Sequence, residues 1–182
     1  METRSECERA CWTRRRFLVA GGGAMTVLLT VPGLKSGLLA VPAQVTKYPR
    51  KLVARLGAVQ EHVPVYFKYP DEDPLSSASF LVKLGRPAGG GVGSDGDIVA
   101  FNALCPHMGG PLMGTYRRDY AAIGPCPLHL TTFDLTKHGM VIAGHATESL
   151  PQVLLEVTGD EIHATGMLGL IYGRARNVEG SR

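Results

Sequence analysis

Two cysteines and two histidines occupy two short, proline-containing segments in the second half of the 182-residue chain. The first segment reads Cys105-Pro106-His107, and the second, after 18 intervening residues, reads Cys126-Pro127-Leu128-His129. Thiolates and imidazoles are side chains that bind transition metals. Because proline fixes φ and removes a backbone donor, we expect both segments to be rigid ligand loops and not helices or central strands.

Two kinds of metal centre use two cysteines and two histidines. Zinc is the commoner metal, but zinc modules usually pair like ligands, as C-x2–4-C followed by H-x3–5-H. Here each loop carries one Cys and one His, and this pattern resembles the two ligand boxes of the Rieske 2Fe–2S family. The resemblance implies one cluster, with Cys105 and Cys126 on one iron and His107 and His129 on the other. A zinc site is the alternative.

The two boxes depart from much of the Rieske family at four positions. Many members read C-x-H-x-G-C and C-x-C-H, and the extra cysteines form a disulfide between the loops; Gly110 and Leu128 stand at those positions here. High-potential members also place Ser and Tyr after the second box, with hydroxyls that hydrogen-bond to sulfur. Counting from His129, those positions are Thr131 and Phe133. We therefore expect the Thr131 hydroxyl to donate a hydrogen bond that tunes the cluster, whereas Phe133 has no hydroxyl to donate. The reduction potential should then be lower than in the high-potential members.

The elements that must position these loops are β-strands. From Gln44 onward, short runs of β-branched and aromatic residues alternate with Pro, Gly and Asp clusters, and no amphipathic helix longer than about two turns is predicted. The predicted fold is all-β: a Rieske-type antiparallel sandwich or barrel, residues 44–182, with a cluster-binding subdomain inserted at about residues 100–152. Thr158–Asp160 is predicted to be a tight hairpin turn. The predicted strands are Lys51–Leu56, Val63–Tyr69, Ser79–Leu84, Asp97–Ala103, Tyr120–Ile123, Val141–Ala143, Val153–Val157 and Glu161–Thr165.

Residues Gly91–Gly96 match the dinucleotide-binding motif G-x-G-x-x-G. That motif binds a nucleotide only between a strand and a helix N-terminus. Here the strand-like run Asp97–Phe101 follows, so we interpret the glycines as a hairpin loop.

Residues 1–43 are interpreted as a targeting segment and not as part of the fold. Thr13–Leu18 resembles the twin-arginine export signal, S/T-R-R-x-F-L, and a mildly apolar run follows it as far as Leu34. That run is marginal for a membrane span of about 20 residues. We expect a periplasmic protein whose signal is either cleaved after Ala43 or kept as a membrane anchor. Cys7 and Cys11 are interpreted as incidental cysteines of the signal.

Charge is unevenly distributed along the chain. Residues 1–43 hold six Lys/Arg and three Glu, whereas residues 44–182 hold 13 Lys/Arg and 13 Asp/Glu. The basic pI therefore belongs to the N-terminal segment, and we expect no nucleic-acid partner for the body. No Ser/His/Asp set or carboxylate pair indicates a hydrolytic site, so no catalytic residue is predicted. The other histidines of the body are interpreted as surface or hydrogen-bonded structural residues: His62, His138, His145 and His163.

Three further stretches are similar to the small, Rieske subunit of arsenite oxidase: Val82–Phe101, Ala146–Pro151 and Gly169–Arg174. The resemblance implies a non-catalytic electron-transfer subunit. It would accept electrons from a large molybdopterin and iron–sulfur subunit and pass them to a c-type cytochrome or small copper protein. Leu150-Pro151 would be the proline loop that covers the cluster. The alternatives are the Rieske subunit of a cytochrome bc complex and a ferredoxin of a ring-hydroxylating oxygenase.

Two surfaces are expected to meet partners. A small body cannot bury both ligand loops deeply, so His107 and His129 should face solvent or a partner. The apolar run Met167–Tyr172 is predicted to contact a larger subunit, because obligate interfaces are more hydrophobic than ordinary surface. The alternative is that this run is simply a last strand in the core.

Overall fold

The computed structural model describes residues 47–178. The predicted export signal, its cleavage site and the two N-terminal cysteines lie outside the described residues, so those predictions stay predictions. In the described part, helical structure is confined to two three-residue 3₁₀ turns, Leu56–Ala58 and Arg118–Tyr120. No helix among these residues is long and apolar enough to cross a membrane. The prediction of an all-β protein is confirmed.

Within residues 47–178, ten strands form two antiparallel sheets. The larger sheet has the order β1-β10-β9-β4-β3-β2, and the smaller has the order β5-β6-β7-β8. The smaller sheet lies in sequence between β4 and β9, which pair with each other in the larger one. The strands are β1 (Lys51–Arg55), β2 (Val65–Lys68), β3 (Ala78–Lys83), β4 (Ile98–Asn102), β5 (Tyr116–Arg117), β6 (Ala122–Ile123), β7 (Thr132–Asp134), β8 (Met140–Ala143), β9 (Gln152–Thr158) and β10 (Glu161–Leu168).

Strand β4 contributes side chains to two hydrophobic cores. All five of its residues are buried, which explains the unbroken apolar run in the sequence. Because successive side chains point to opposite faces, Val99 and Phe101 enter one hydrophobic core while Ile98 and Ala100 enter another. The first of these cores also contains Phe133 of β7. The first core therefore packs the smaller sheet onto the larger one.

The turns behave as the sequence predicts. Strands β9 and β10 form a hairpin in which Thr158 pairs with Glu161, so the turn consists of Gly159 and Asp160. Gly159 has φ +62°. Residues 91–96 lie in the loop between β3 and β4, where Val92 and Ile98 exchange backbone hydrogen bonds of 2.9 and 3.2 Å. The interpretation of the glycine motif as a hairpin loop is confirmed.

Two short strands, β5 and β7, were not predicted. They have two and three residues, which is too short for an alternating pattern to be seen. Their pairing depends on long-range contacts: Tyr116 pairs with Ile123, and Ile123 with Phe133.

Candidate metal centre

The first ligand loop closes on itself immediately after β4. The Cys105 N–H donates to the Gly110 carbonyl at 2.9 Å, and the Gly109 N–H donates to the Cys105 carbonyl at 2.8 Å. Gly109 has φ +67°, a left-handed conformation that glycine adopts without strain. The loop thus presents Cys105 and His107 from a compact, hydrogen-bonded turn.

The second loop repeats the same hydrogen-bond pattern. The Cys126 N–H donates to the Thr131 carbonyl at 2.8 Å, and the Leu130 N–H donates to the Cys126 carbonyl at 2.9 Å. Leu130 takes the position that corresponds to Gly109 and has φ +60°. The loops therefore share a backbone design, although the histidine stands two residues after the cysteine in one and three residues after it in the other.

Both cysteine side chains point into the interior. Cys105 and Cys126 are each 1% exposed and belong to the core that contains Phe133. Burial raises the pKa of the Cys105 thiol, the nearby Cys126 thiol raises it further, and the backbone N–H groups of His107 and Met108, which point at its sulfur, oppose the rise. A bound metal would supply the positive charge that displaces both protons. The two N–H groups are of the kind that tunes the potential of a bound cluster.

The two predicted histidine ligands form a second pair on the outer side. The ring centroids of His107 and His129 are 4.8 Å apart, with the rings at 79°. His129 is exposed and His107 half-buried. The Nδ1 atom of His107 is buried, with no hydrogen-bond partner among the described residues; a metal bond would satisfy it.

These residues fit a binuclear cluster. Among residues 47–178, no three Cys, His, Asp or Glu side chains converge on one point; instead, the two thiols interact with each other and the two imidazoles pack together. Such an arrangement suits one iron per pair. The structure brings together all four residues that the sequence singled out, and their assignment as ligands stays a prediction.

Thr131 ends the second ligand loop, and Phe133 follows it in β7. Thr131 is fully buried, and its Oγ1 accepts hydrogen bonds from the N–H groups of His145 at 3.1 Å and Ala146 at 3.3 Å. A hydroxyl has one hydrogen, and that hydrogen is left to donate elsewhere. Phe133 is fully buried with both cysteines in one core. Their role in tuning stays a prediction.

The two positions that would carry the family's disulfide are adjacent in space. A Cβ built on Gly110 would lie 3.1 Å from Leu128 Cγ and 2.5 Å from Cys126 Sγ. Leu128 therefore packs over Gly110, and a larger residue at Gly110 would push against the cysteine. Cys105 and Cys126 are both free. Packing of Leu128 takes the place of the covalent link.

His145 lies closer to the site than the sequence indicated. It is exposed, and its ring centroid is 6.0 Å from that of His107 and 6.2 Å from that of His129. It belongs to the loop between β8 and β9 that ends at Leu150-Pro151, the predicted covering loop. The sequence could have placed His145 near the site only through its position in the predicted covering loop, because it does not stand at a ligand spacing from either box.

The other three histidines of the described residues are His62, His138 and His163. His62 Nδ1 is 3.0 Å from the Tyr116 hydroxyl, and His138 Nδ1 is 2.7 Å from Gln152 Oε1. His163 is buried in β10, and its Nδ1 has no partner in the described residues. The first two have the structural role that the sequence suggested.

Paired buried thiols, paired imidazoles at the surface and an all-β scaffold define the class of this protein: an iron–sulfur protein that carries electrons. The Rieske [2Fe-2S] domain family matches residues 57–154. The chain belongs to the Rieske [2Fe-2S] family and has one 2Fe–2S cluster as its cofactor. The zinc alternative is thereby set aside.

Two relatives are similar over nearly the whole chain. Iodate reductase subunit IdrB of Denitromonas iodatirespirans is 55% identical over 173 residues, which cover 95% of this chain and 90% of that protein. Iodate reductase subunit IdrB of Pseudomonas sp. (strain SCT) is 54% identical over 168 residues, covering 91% and 84%. The likeness includes the C-terminal residues that lie beyond the family match.

Other likenesses are weaker. The cytochrome bc1 complex Rieske iron-sulfur subunit of Streptomyces lividans is 36% identical over 63 residues, 35% of this chain and 36% of that one. The soluble domain of Rieske protein II from Sulfolobus acidocaldarius has a TM-score of 0.60 at 24% identity, covering 71% of this chain and 83% of that one. The latter shows the shared fold.

Proposed function

We propose that this chain is the electron-transfer subunit of a periplasmic molybdenum-dependent oxidoreductase. It would be the non-catalytic small subunit, beside a large subunit that holds a molybdopterin centre and an iron–sulfur cluster. When bound, the 2Fe–2S cluster supplies one-electron storage and transfer. The observation that carries the proposal is the 54–55% identity to two iodate reductase subunits along nearly the whole chain.

The geometry supports exchange at the histidine end of the site. The cysteines are 1% exposed, so the protein closes that side with core residues. His129 is exposed, so a redox partner can approach the imidazole pair closely. This chain's residues therefore bind the cofactor, shield its sulfur end from water and leave one face for a partner.

The chain segments that form that face contain almost no charged residues. The stretches that surround the site contain no Asp, Glu, Lys or Arg except Glu148: residues 104–115, 124–133, 144–151 and 168–173. Interface cores are depleted in charge and enriched in Met and aromatic residues. Exposed apolar side chains on these stretches are Met108 51%, Met113 53%, Leu128 52%, Leu130 67%, Leu168 48%, Leu170 51% and Tyr172 41%.

The predicted contact run at the C-terminus is divided between core and surface. Met167 and Ile171 are buried, whereas Leu168, Leu170 and Tyr172 are exposed. Part of the run therefore packs in the core, as the last-strand alternative expected, and part is exposed, as a contact with a larger subunit would require. We propose that its exposed half belongs to the face covered by the large subunit. A c-type cytochrome or a small copper protein would be the other electron-exchange partner.

Iodate reduction is the substrate chemistry that the relatives favour, because both are named iodate reductase subunits. Arsenite oxidation is the second candidate, on the strength of the three stretches that resemble the arsenite oxidase small subunit. The two differ in the direction of electron flow: iodate reduction consumes electrons, and arsenite oxidation releases them.

The test uses the complex purified from its native host. After anaerobic reduction, iodate should oxidise the Rieske-type EPR signal away, and arsenite should not reduce the oxidised complex. A complex with Cys126→Ser, which removes a cluster ligand, is the control and should show no such signal. Reduction by arsenite instead would establish the second candidate. If the chain purifies without a molybdenum subunit, the subunit assignment is wrong.

A further inference from the structure

The C-terminal tail reaches back to the first ligand loop. Tyr172 lies outside the family-matched residues 57–154. A Cβ built on Gly109 would lie 2.5 Å from Tyr172 Cδ1 and 2.8 Å from its Cε1. The ring edge therefore packs directly on the glycine whose N–H closes the Cys105–Gly110 turn. A side chain at Gly109 would meet both this ring and an unfavourable backbone conformation.

An arginine two residues later anchors the tail to the loop between β2 and β3. Arg174 Nη1 donates to Asp71 Oδ2 at 2.7 Å, and Nη2 donates to Asp71 Oδ1 at 3.0 Å. The Arg174 Nε donates to the Ser76 hydroxyl at 3.0 Å and Nη2 to the Ser77 hydroxyl at 2.9 Å. Its side chain is only 15% exposed. A bidentate pair with further hydrogen bonds fixes orientation as well as position.

A buried asparagine fixes the residues just before the tyrosine. The Asn177 Oδ1 accepts the Ile171 N–H at 2.9 Å, and its Nδ2 donates to the Gly169 carbonyl at 2.7 Å. Ile171 is fully buried, and its carbonyl accepts the Arg174 N–H at 3.1 Å. Tyr172 therefore extends from a segment that is held on both sides.

Many family members have a disulfide between their two ligand loops. Gly110 and Leu128 stand at the positions of its two cysteines, so this covalent link is missing here. We propose that Tyr172 is a positioning residue that braces the first ligand loop. Its ring packs on Gly109 and holds the Cys105–Gly110 turn closed. The ion pair between Arg174 and Asp71 holds the ring in place. The brace acts on the cluster loop of this chain and does not depend on the proposed catalytic partner.

The test uses the full-length chain carrying its cluster. In Tyr172→Ala, we expect cluster loss to an iron chelator to accelerate by about fivefold, in line with a lost aromatic contact. Amide hydrogen exchange should rise in residues 104–113 and stay unchanged in residues 124–133. The reduced cluster should show shifted or broadened EPR g values, which a change in global stability would not produce.

Three further variants make the result specific. Tyr172→Phe should behave as wild type, because the contact is made by ring carbons. Leu170→Ala, at an exposed residue of the same tail, should leave cluster loss and amide exchange of the isolated chain unchanged. Arg174→Gln should reproduce the exchange pattern of Tyr172→Ala without touching the loop. The proposal is overturned if Tyr172→Ala leaves chelation and exchange unchanged, if Leu170→Ala has the same effect, or if Phe fails to replace Tyr.

Discussion

At the scale of single residues, the two ligand loops place different residues in the same left-handed backbone conformation. Four residues after each cysteine the chain adopts a left-handed conformation, with Gly109 in the first loop and Leu130 in the second. For a residue with a Cβ this conformation costs about 1–2 kcal/mol. Leu130 is 67% exposed, so core packing does not explain it. Such strain is typical of functional sites held by their surroundings.

The residue-scale prediction concerns the reduction potential. Phe133→Tyr should add a hydroxyl behind the cysteine sulfurs and raise the potential, because a hydrogen bond to sulfur stabilises the reduced cluster. One hydrogen bond of about 1 kcal/mol net corresponds to about 40 mV for one electron. Thr131→Ala should lower the potential by a similar amount. Potentiometric titration followed by EPR measures both shifts.

Thr131→Ser is the matched control for Thr131→Ala. The alanine removes the acceptor of the His145 and Ala146 N–H groups, so it should also destabilise the loop between β8 and β9 by about 1–3 kcal/mol. The serine keeps that acceptor and the donor, and should preserve both stability and potential. If neither Phe133→Tyr nor Thr131→Ala moves the potential while the cluster stays intact, these two positions do not reach the sulfur atoms.

At the scale of elements, the ligand loops are extensions of two different layers. The first loop follows β4 of the larger sheet, and the second lies between β6 and β7 of the smaller one. The shared core around Phe101 and Phe133 keeps the layers together. The distance between the two ligand loops therefore depends on how the two sheets pack.

The element-scale prediction concerns the tail anchor and pH. Hydrogen bonds from Arg174, helped by the Ser77 hydroxyl and the Asp73 N–H, hold the pKa of Asp71 well below its usual range, although partial burial opposes this. A depressed carboxyl pKa contributes stability above the unfolded pKa of about 4, and that contribution is lost as pH falls toward the folded value. We expect wild type to exceed Asp71→Asn in stability at neutral pH, with the difference shrinking below about pH 4.

The size of this effect should be modest. The Asp71 side chain is 52% exposed, so solvent screening limits the contribution to about 1 kcal/mol. Urea unfolding of wild type and Asp71→Asn at a series of pH values measures it. A difference that stays constant from neutral pH down to about pH 3 would show that the carboxylate charge is not what holds the tail.

At the scale of the whole molecule, the distribution of charge predicts how the complex responds to salt. The face around His129 has Glu148 as its sole charged residue in the four stretches that surround the site. Apolar contacts are not screened, so about 1 M salt, where the Debye length is about 3 Å, should weaken binding to the large subunit by less than about twofold. Analytical ultracentrifugation of the complex at low and high salt checks this.

Two substitutions that introduce a charge test where this interface lies. Leu170→Glu, on the proposed face, should separate the subunits because it would bury an unpaired charge. Leu52→Glu, equally exposed at 48% on edge strand β1, should leave the complex intact. Dissociation by salt alone, or equal effects of both insertions, would place the large subunit elsewhere.

Export is a second whole-molecule prediction, and it rests on sequence alone. Lys at both Arg14 and Arg15 should leave the protein in the cytoplasm with its cluster assembled, because the proposed twin-arginine signal would be lost. Cell fractionation with EPR of each fraction measures this. Periplasmic accumulation of the double variant would contradict the twin-arginine route.

Local patterns in the sequence determined much of this protein. The two mixed Cys/His boxes lie within a few residues each, so the ligand set and the kind of cluster could be predicted without any knowledge of the fold. Short runs of β-branched and aromatic residues between Pro, Gly and Asp clusters predicted the all-β class and the six strands of the larger sheet. Gly159-Asp160 and Gly91–Gly96 predicted loops because glycine provides left-handed backbone.

Only the tertiary structure decided how the loops are held and what surrounds them. The contacts of Tyr172 with Gly109 and of Arg174 with Asp71 join residues far apart in the chain, and the approach of His145 to the histidine pair depends on where the β8–β9 loop returns. None of these residues stands at a diagnostic spacing. Their meeting is set by the packing of two sheets around a common core, which local sequence patterns do not encode.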